Sequence, residues 1–269
     1  EGTSITGELP PQIGLLTELT SLWISDSPNL VGSIPPEYSN LLQLRTLSLD
    51  SNGLTGAIPS WIFELDNLYR LYLTGNDFTG PYPAEMRRSG LETLYLSPTD
   101  VEQEIPAWFD ELSGLRELGL FPSLKHVYTG EFPAYLGEMD QLTSLSIVNN
   151  NLKGEVPVSL WHSQRLSTLR IADASLSLTI PETINLPQLD YLHLTGEHFG
   201  GSAAALSQAS ALREVYLLDG QFTGSLTWLA TLPNLVTVWV ANNRFSGPLP
   251  ANWAAAAMLQ SLRVQGNAL

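Results

Sequence analysis

Cysteine is absent from the 269 residues, which removes disulfides, thiolate metal sites and cysteine nucleophiles. Basic residues are scarce. Twelve Lys and Arg stand against 27 Asp and Glu, a formal charge of −15. A phosphate backbone needs a positive footprint, so this balance argues against nucleic acid as a partner and disfavours anionic lipid surfaces. No apolar run approaches the roughly 18 residues of a membrane helix. The nearest, Ala251 to Met258, is short and contains Asn252, so this segment is not expected to enter a membrane. No basic-then-apolar leader is present, and Glu1 to Ser4 already fall inside a repeat. No G-x-S-x-G, P-loop or H-E-x-x-H pattern occurs. Of the four histidines, only His193 and His198 are near neighbours, and their spacing across a strand and turn puts the rings on different sides. Neither a metal, a cofactor nor a catalytic residue is expected. What is present is apolar: 43% hydrophobic against 14% charged residues, the composition of a folded chain with a core.

Self-similarity is the strongest signal. Leu44 to Pro59 reads L-x-x-L-x-L-x-x-N-x-L-x-G-x-I-P. The closing proline recurs at Pro10, Pro35, Pro59, Pro83, Pro106, Pro133, Pro157, Pro181 and Pro250, with Ala204 and Thr227 in the same slot, at spacings of 23 to 27 residues. Such a period is that of a stacked repeat array, so residues 1–269 are expected to form one domain of about eleven repeats. Apolar pairs two residues apart, such as Leu71/Leu73, Leu145/Ile147 and Val238/Val240, put both side chains on one side of a short strand, facing inward. The slot asparagines Asn52, Asn76, Asn150, Asn243 and Asn267 are expected to bond backbone groups left open by the turn, as struts rather than ligands. Gly7, Gly32, Gly56 and their counterparts mark a backbone shape that a side chain would hinder.

The segment Asn52 to Pro59, N-x-L-x-G-x-I-P, resembles the plant-type leucine-rich repeat, and the match covers essentially the whole chain. The resemblance implies an α/β repeat fold: a solenoid with a parallel sheet on the concave face and short 3-10 or helical turns on the convex side. It also implies a second short sheet at the G-x-I-P segment. Two family features are missing, the cysteine-paired end caps and the Asn-x-Ser/Thr acceptors, since none of the 14 asparagines has Ser or Thr two positions on. Open repeats at both ends imply a piece of a larger chain or assembly. Trp61, Trp108 and Trp253, soon after closing prolines, resemble repeats of algae and other protists more than those of land-plant receptors.

The outward strand positions form the candidate binding surface. Their central column reads Trp23, Ser48, Tyr72, Tyr95, Gly119, Ser146, Arg170, His193, Tyr216, Trp239, Arg263. Five of these eleven are Trp or Tyr, the side chains that supply contact area at low entropy cost and concentrate at interaction hot spots. Stacking of the rings on one another between coils is the alternative. Six Arg and eight acidic residues occupy strand positions, so the face is near neutral; the arginines fit carboxylates either on a partner or on neighbouring coils. Candidate ligand-binding residues are therefore Trp23, Tyr72, Tyr95, Arg170, His193, Tyr216, Trp239 and Arg263. The repeat of 27 residues contains Phe121 to Tyr128, and its extra chain is expected to protrude, with Phe121, Lys125, His126 and Tyr128 as a second candidate contact. A hydroxyl row at Ser21, Thr46, Thr93, Ser144, Thr168, Thr237 and Ser261 is interrupted by Arg70, Glu117, Tyr191 and Glu214, which breaks the regular lattice that ice binding would need.

These features, with the resemblance, imply a non-enzymatic extracellular or cell-surface recognition module, receptor-like or a secreted adaptor, binding a protein, peptide or glycan. A structural wall or matrix component and an inhibitor of secreted hydrolases are the alternatives.

Overall fold

The computed structural model describes residues 5–100, 103–173 and 175–269. The chain divides into two compact units, Glu1–Gly130 and Glu131–Leu269. Each is a solenoid of the same construction. In the first, the strands Ser21–Trp23, Thr46–Ser48, Arg70–Tyr72, Thr93–Leu96 and Glu117–Leu120 pair in parallel, aligning Leu22, Leu47, Leu71, Leu94 and Leu118. In the second, Ser144–Val148, Thr168–Ala172, Tyr191–Thr195, Glu214–Leu218, Thr237–Trp239 and Ser261–Arg263 do the same. Register follows from burial. A slip by one residue would turn every inward leucine to solvent.

Proline starts the return path. Pro35 (φ −63°), Pro59 (φ −70°) and Pro157 (φ −67°) each precede a 3-10 turn, at Pro36–Asn40, Ser60–Glu64 and Val158–His162. The ring presets the extended φ and leaves no N–H to satisfy, while the carbonyl of Pro35 accepts the N–H of Tyr38 at 3.2 Å. About 24 residues per coil leave room for one such turn, and 3-10 geometry suits a piece this short. The second sheet implied by the family resemblance is present. It comprises Gly7–Glu8, Ser27–Gly32, Asn52–Gly56 and Asp77–Phe78 in the first unit, and Leu178–Ile180, Phe199–Ser202, Gln221–Gly224 and Arg244–Phe245 in the second. Gly56 closes its strand at φ +80°, a left-handed conformation that disfavours any Cβ.

The core is continuous within each unit. Leu47, Leu71, Leu94, Leu145, Leu169 and Leu192 are fully buried, as are Ile62, Met86 and Phe109 from the 3-10 side. The slot asparagines are struts. Asn76 donates from Nδ2 to the carbonyls of Leu49 (2.7 Å) and Leu73 (3.2 Å), and its Oδ1 accepts the N–H of Leu54 (3.1 Å). Asn52, Asn243 and Asn267 repeat the pattern. Where Ala174 stands in that slot, the buried carboxylate of Asp173 accepts the N–H of Leu152 (3.2 Å) and of Ser175 (3.0 Å). Burial pushes the Asp173 carboxyl up, opposed by those two hydrogen bonds.

The long repeat differs from expectation. Phe121 to Tyr128 does not stand clear of the scaffold but folds back along the turn edge of the first unit. The hydroxyl of Ser97 donates to the Pro122 carbonyl (3.0 Å), Ser123 and His126 close a turn (2.8 Å), and Lys125 pairs with Asp77. Tyr128 is a correction: it is fully buried in the Tyr128–Thr129 strand, and its hydroxyl meets that of Tyr82 at 2.5 Å. Its place beneath the turn gives the extra residues an anchor, so it offers a partner no surface. Only Leu124 and Lys125 of this stretch are well exposed.

Candidate functional site

The outward column of each unit is a run of rings in contact. In the first, Trp23 and Tyr72 lie 5.7 Å apart between centroids, Tyr72 and Tyr95 5.1 Å, and Tyr95 and Phe121 5.9 Å in a stacked pair. Two small residues make this possible. Ser48 is fully buried beneath the gap between Trp23 and Tyr72, and Gly119 lies under Tyr95 and Phe121. A Cβ on Gly119 would come within 2.6 Å of Tyr95 Cε1 and 2.7 Å of Phe121 Cε2. Phe121, read from the sequence as part of a loop, thus completes the aromatic row. The bare central-column position at Gly119 was the signal for it. Trp23 is 62% exposed; Tyr72, Tyr95 and Phe121 are half-buried.

Polar groups flank the row. Asp50 Oδ1 accepts from the hydroxyls of Ser48 (2.5 Å) and Ser25 (2.9 Å). Burial raises the Tyr72 phenol, with further contributions from Glu117 and Asp50 against the lowering effect of Arg70. Beside the row, a recess of about 370 Å³ opens between Leu124 and the turns at Asp26, Pro28, Ser51 and Gly75.

The second unit carries Tyr191, His193, Tyr216 and Trp239 with ring separations of 5.2 to 6.4 Å, and the Arg263 guanidinium caps Trp239 at 3.8 Å. His193 bridges Thr195 (2.9 Å) and Tyr191 (3.3 Å). Burial, then the Arg170 charge, lowers its imidazole to about 4, so the ring is neutral at pH 7. Tyr216 donates to Glu214 Oε2 at 2.7 Å, and burial together with that carboxylate raises the phenol to about 12. Arg170 makes no ion pair among the described residues, and its buried Nε has no hydrogen-bond partner. By contrast Arg116 pairs with Glu92 at 3.7 Å. Of the sequence-selected residues, Trp23, Tyr72 and Tyr95 come together in the first unit, and Arg170, His193, Tyr216, Trp239 and Arg263 in the second.

Comparison with known proteins bears on the family. The Leucine Rich Repeat family model matches residues 43–65 and 141–163. Receptor-like kinase TMK2 of Arabidopsis thaliana is 25% identical over 256 residues, 90% of this chain, and receptor-like protein 35 of the same plant is 33% identical over 191 residues, 68% of this chain. This is a plant-type leucine-rich-repeat chain. It spans only 29% and 20% of the lengths of those two relatives. Among solved structures, its fold is similar to the ectodomain of the Arabidopsis receptor kinase GASSHO1/SCHENGEN3 in complex with CASPARIAN STRIP INTEGRITY FACTOR 2 (TM-score 0.71, 26% identity, 98% of this chain, 35% of that one). The Arabidopsis receptor kinase HAESA, in complex with the peptide hormone IDA and a co-receptor, gives a TM-score of 0.61 at 27% identity over 97% of this chain and 56% of that one. A plant ice-binding protein gives 0.65 at 27% over 98% of this chain and 79% of its own. The chain shares its leucine-rich-repeat scaffold with these receptor ectodomains.

Proposed function

We propose that this chain is an extracellular, receptor-like recognition module that takes a peptide or protein segment on the outward strand faces of its units. The observation that carries the proposal is the pair of open aromatic rows, Trp23–Tyr72–Tyr95–Phe121 and Tyr191–His193–Tyr216–Trp239. The rings stack on one another, which fixes them in place before a partner arrives, and yet they remain partly exposed. Fixed aromatics lose little entropy on binding. Arg170, without an ion-pair partner among the described residues, adds a cationic contact for an acidic group. The receptor-kinase complexes with a peptide hormone and with an integrity factor support the same reading by likeness of scaffold.

Ice binding, the property named for one similar structure, is not favoured by this face. Thr46 and Thr93 of the hydroxyl row are only 4% and 3% exposed, so the row offers no regular array to a lattice. A structural wall or matrix component would use the convex side or the ends rather than these rings.

A displayed random-peptide library panned against the chain tests the proposal. Enriched peptides are expected to lose affinity on Tyr72→Ala or Tyr216→Ala, or both; binding unchanged by either substitution would count against the strand faces.

A further inference from the structure

We infer that Arg170 and His193 together form an oxyanion site on the second unit, and that the anion enters it with a proton. The inference rests on the proposed recognition role and names the chemistry and the regulation of one point on that face.

Charge makes the first argument. The strands Ser144–Val148, Thr168–Ala172 and Tyr191–Thr195 run in register, with Ser146, Arg170 and His193 side by side at their centre. Among the outward positions of these three strands, the Arg170 guanidinium is the one group ionised at pH 7. No acid answers it. Arg170 makes no ion pair among the described residues, and its buried Nε has no hydrogen-bond partner. Other strand arginines are occupied: Arg116 pairs with Glu92, Arg70 lies over the Tyr69 ring and Arg263 over that of Trp239. A half-buried charge without a counterion is costly to hold, and an oxyanion on the open side of the guanidinium supplies what is missing.

Hydrogen bonding on the imidazole makes the second argument. His193 Nε2 lies 2.9 Å from Thr195 Oγ1, and Nδ1 lies 3.3 Å from the Tyr191 hydroxyl. A neutral imidazole donates at one nitrogen and accepts at the other, so one of the two hydroxyls gives its hydrogen to the ring. A protonated ring donates at both. That hydroxyl is then released to donate outward, so the same three side chains accept a proton without moving and present one more donor once they have it.

The groups around the ring decide when this happens. Arg170 faces it from the strand on one side; from the other come the Tyr216 phenol and Glu214, whose carboxylate accepts the Tyr216 hydroxyl at 2.7 Å, and Tyr191 lies on its own strand. Burial first, and then the Arg170 charge, hold the imidazole at about 4. An anion on Arg170 offsets the second cause and attracts the imidazolium directly, so the bound ring takes its proton at higher pH. Only the complex gains a proton in that window, and anion affinity therefore rises as pH falls through it.

Imidazole NMR of the whole chain, titrated in sodium sulfate and in sodium chloride of equal ionic strength, reads the proton directly. Sulfate keeps its charge throughout, whereas a carboxylate titrates near about 4 itself. Sulfate is expected to raise the His193 midpoint by about one pH unit, a tenfold gain in proton affinity, and chloride to leave it in place. Arg170→Gln should raise the midpoint of the free chain, because the opposing charge is gone, and abolish the response to sulfate; circular dichroism checks that the variant is folded. His193→Gln should keep sulfate binding at neutral pH but lose its strengthening on acidification. Two end-blocked peptides that differ only in Glu against Gln extend the test to carboxylates, with the Glu peptide bound about tenfold more tightly at mildly acid pH. Equal His193 midpoints in the two salts, or a response that survives Arg170→Gln, overturns the inference. Peptides captured through Tyr216 while sulfate leaves His193 unmoved would keep the recognition role and remove this site; a sulfate response in a chain that captures no peptide would keep the site and remove the role.

Discussion

Gly119 lies directly beneath the Tyr95 ring, and a side chain there would drive into both Tyr95 and Phe121. It is the one central-column position without a Cβ, and the ring stack above it depends on that absence. Gly119→Ala is expected to cost about 1–3 kcal/mol by overpacking and to displace both rings. Thermal unfolding measures the first effect and near-ultraviolet circular dichroism the second. Adding Tyr95→Ala should restore part of the stability, because it removes the closer of the two clashes and leaves the one with Phe121.

Asp173 serves as acceptor where the repeat lacks its asparagine, at the cost of burying a carboxyl whose pKa is raised. Its native form therefore holds its proton to higher pH than the unfolded chain does, and stability contributed by this group is lost as pH rises from the unfolded value through the folded one. Asp173→Asn keeps an acceptor without the charge. It should stabilise the chain at pH 7, whereas Asp173→Ala, which strands the N–H groups of Leu152 and Ser175, should destabilise by about 1–3 kcal/mol. Urea titrations of the two variants check the opposite signs.

His193 has the opposite dependence. Its native value of about 4 lies below the ordinary 6.5, so on acidification through about 6.5 the unfolded chain takes a proton that the native chain refuses. Stability from this group is complete above that range and is lost progressively as pH falls toward 4. His193→Gln should flatten that part of the stability–pH curve, and an imidazole NMR titration of the native chain should give a midpoint near 4.

Asn76 holds three backbone groups from neighbouring turns. Asn76→Ala strands the Leu54 N–H and the Leu73 carbonyl, while the Leu49 carbonyl keeps the Asn52 amide, and the expected loss is at least about 2 kcal/mol. Asn76→Asp keeps the acceptor but removes the donor, so it should also destabilise, since the Leu73 carbonyl loses its partner and the Leu49 carbonyl one of two. Chemical denaturation of both variants measures the difference.

Tyr128→Phe removes only the hydroxyl that meets Tyr82. A loss of about 1–2 kcal/mol is expected, with a strand-face ligand bound as before. Loss of that binding without loss of stability would return Tyr128 to the recognition surface.

The period of the leucines, prolines and glycines made the fold legible without coordinates, because a coil can close only if the inward slots are apolar and the turn is satisfied. Slot asparagines were readable as struts for the same reason. The candidate face was legible as a column but not as a surface. Nothing in the repeat frame tells that Trp23 and Tyr72 close over Ser48, or that Phe121 leaves its loop to join Tyr95. Likewise, the extra residues around Lys125 promised a protrusion, while the Asp77 and Tyr82 contacts that pull them back lie 46 to 48 residues earlier.

The chain alone thus determined that it is a stacked leucine-rich-repeat array with inward leucines and outward aromatics, since periodicity and alternation are local properties of the backbone. Tertiary structure decided which outward side chains form a continuous surface, which threonines are covered and which charged groups remain unpaired. Those outcomes depend on side chains from different coils meeting across small residues such as Ser48 and Gly119, a relation of shape between coils that no single repeat contains.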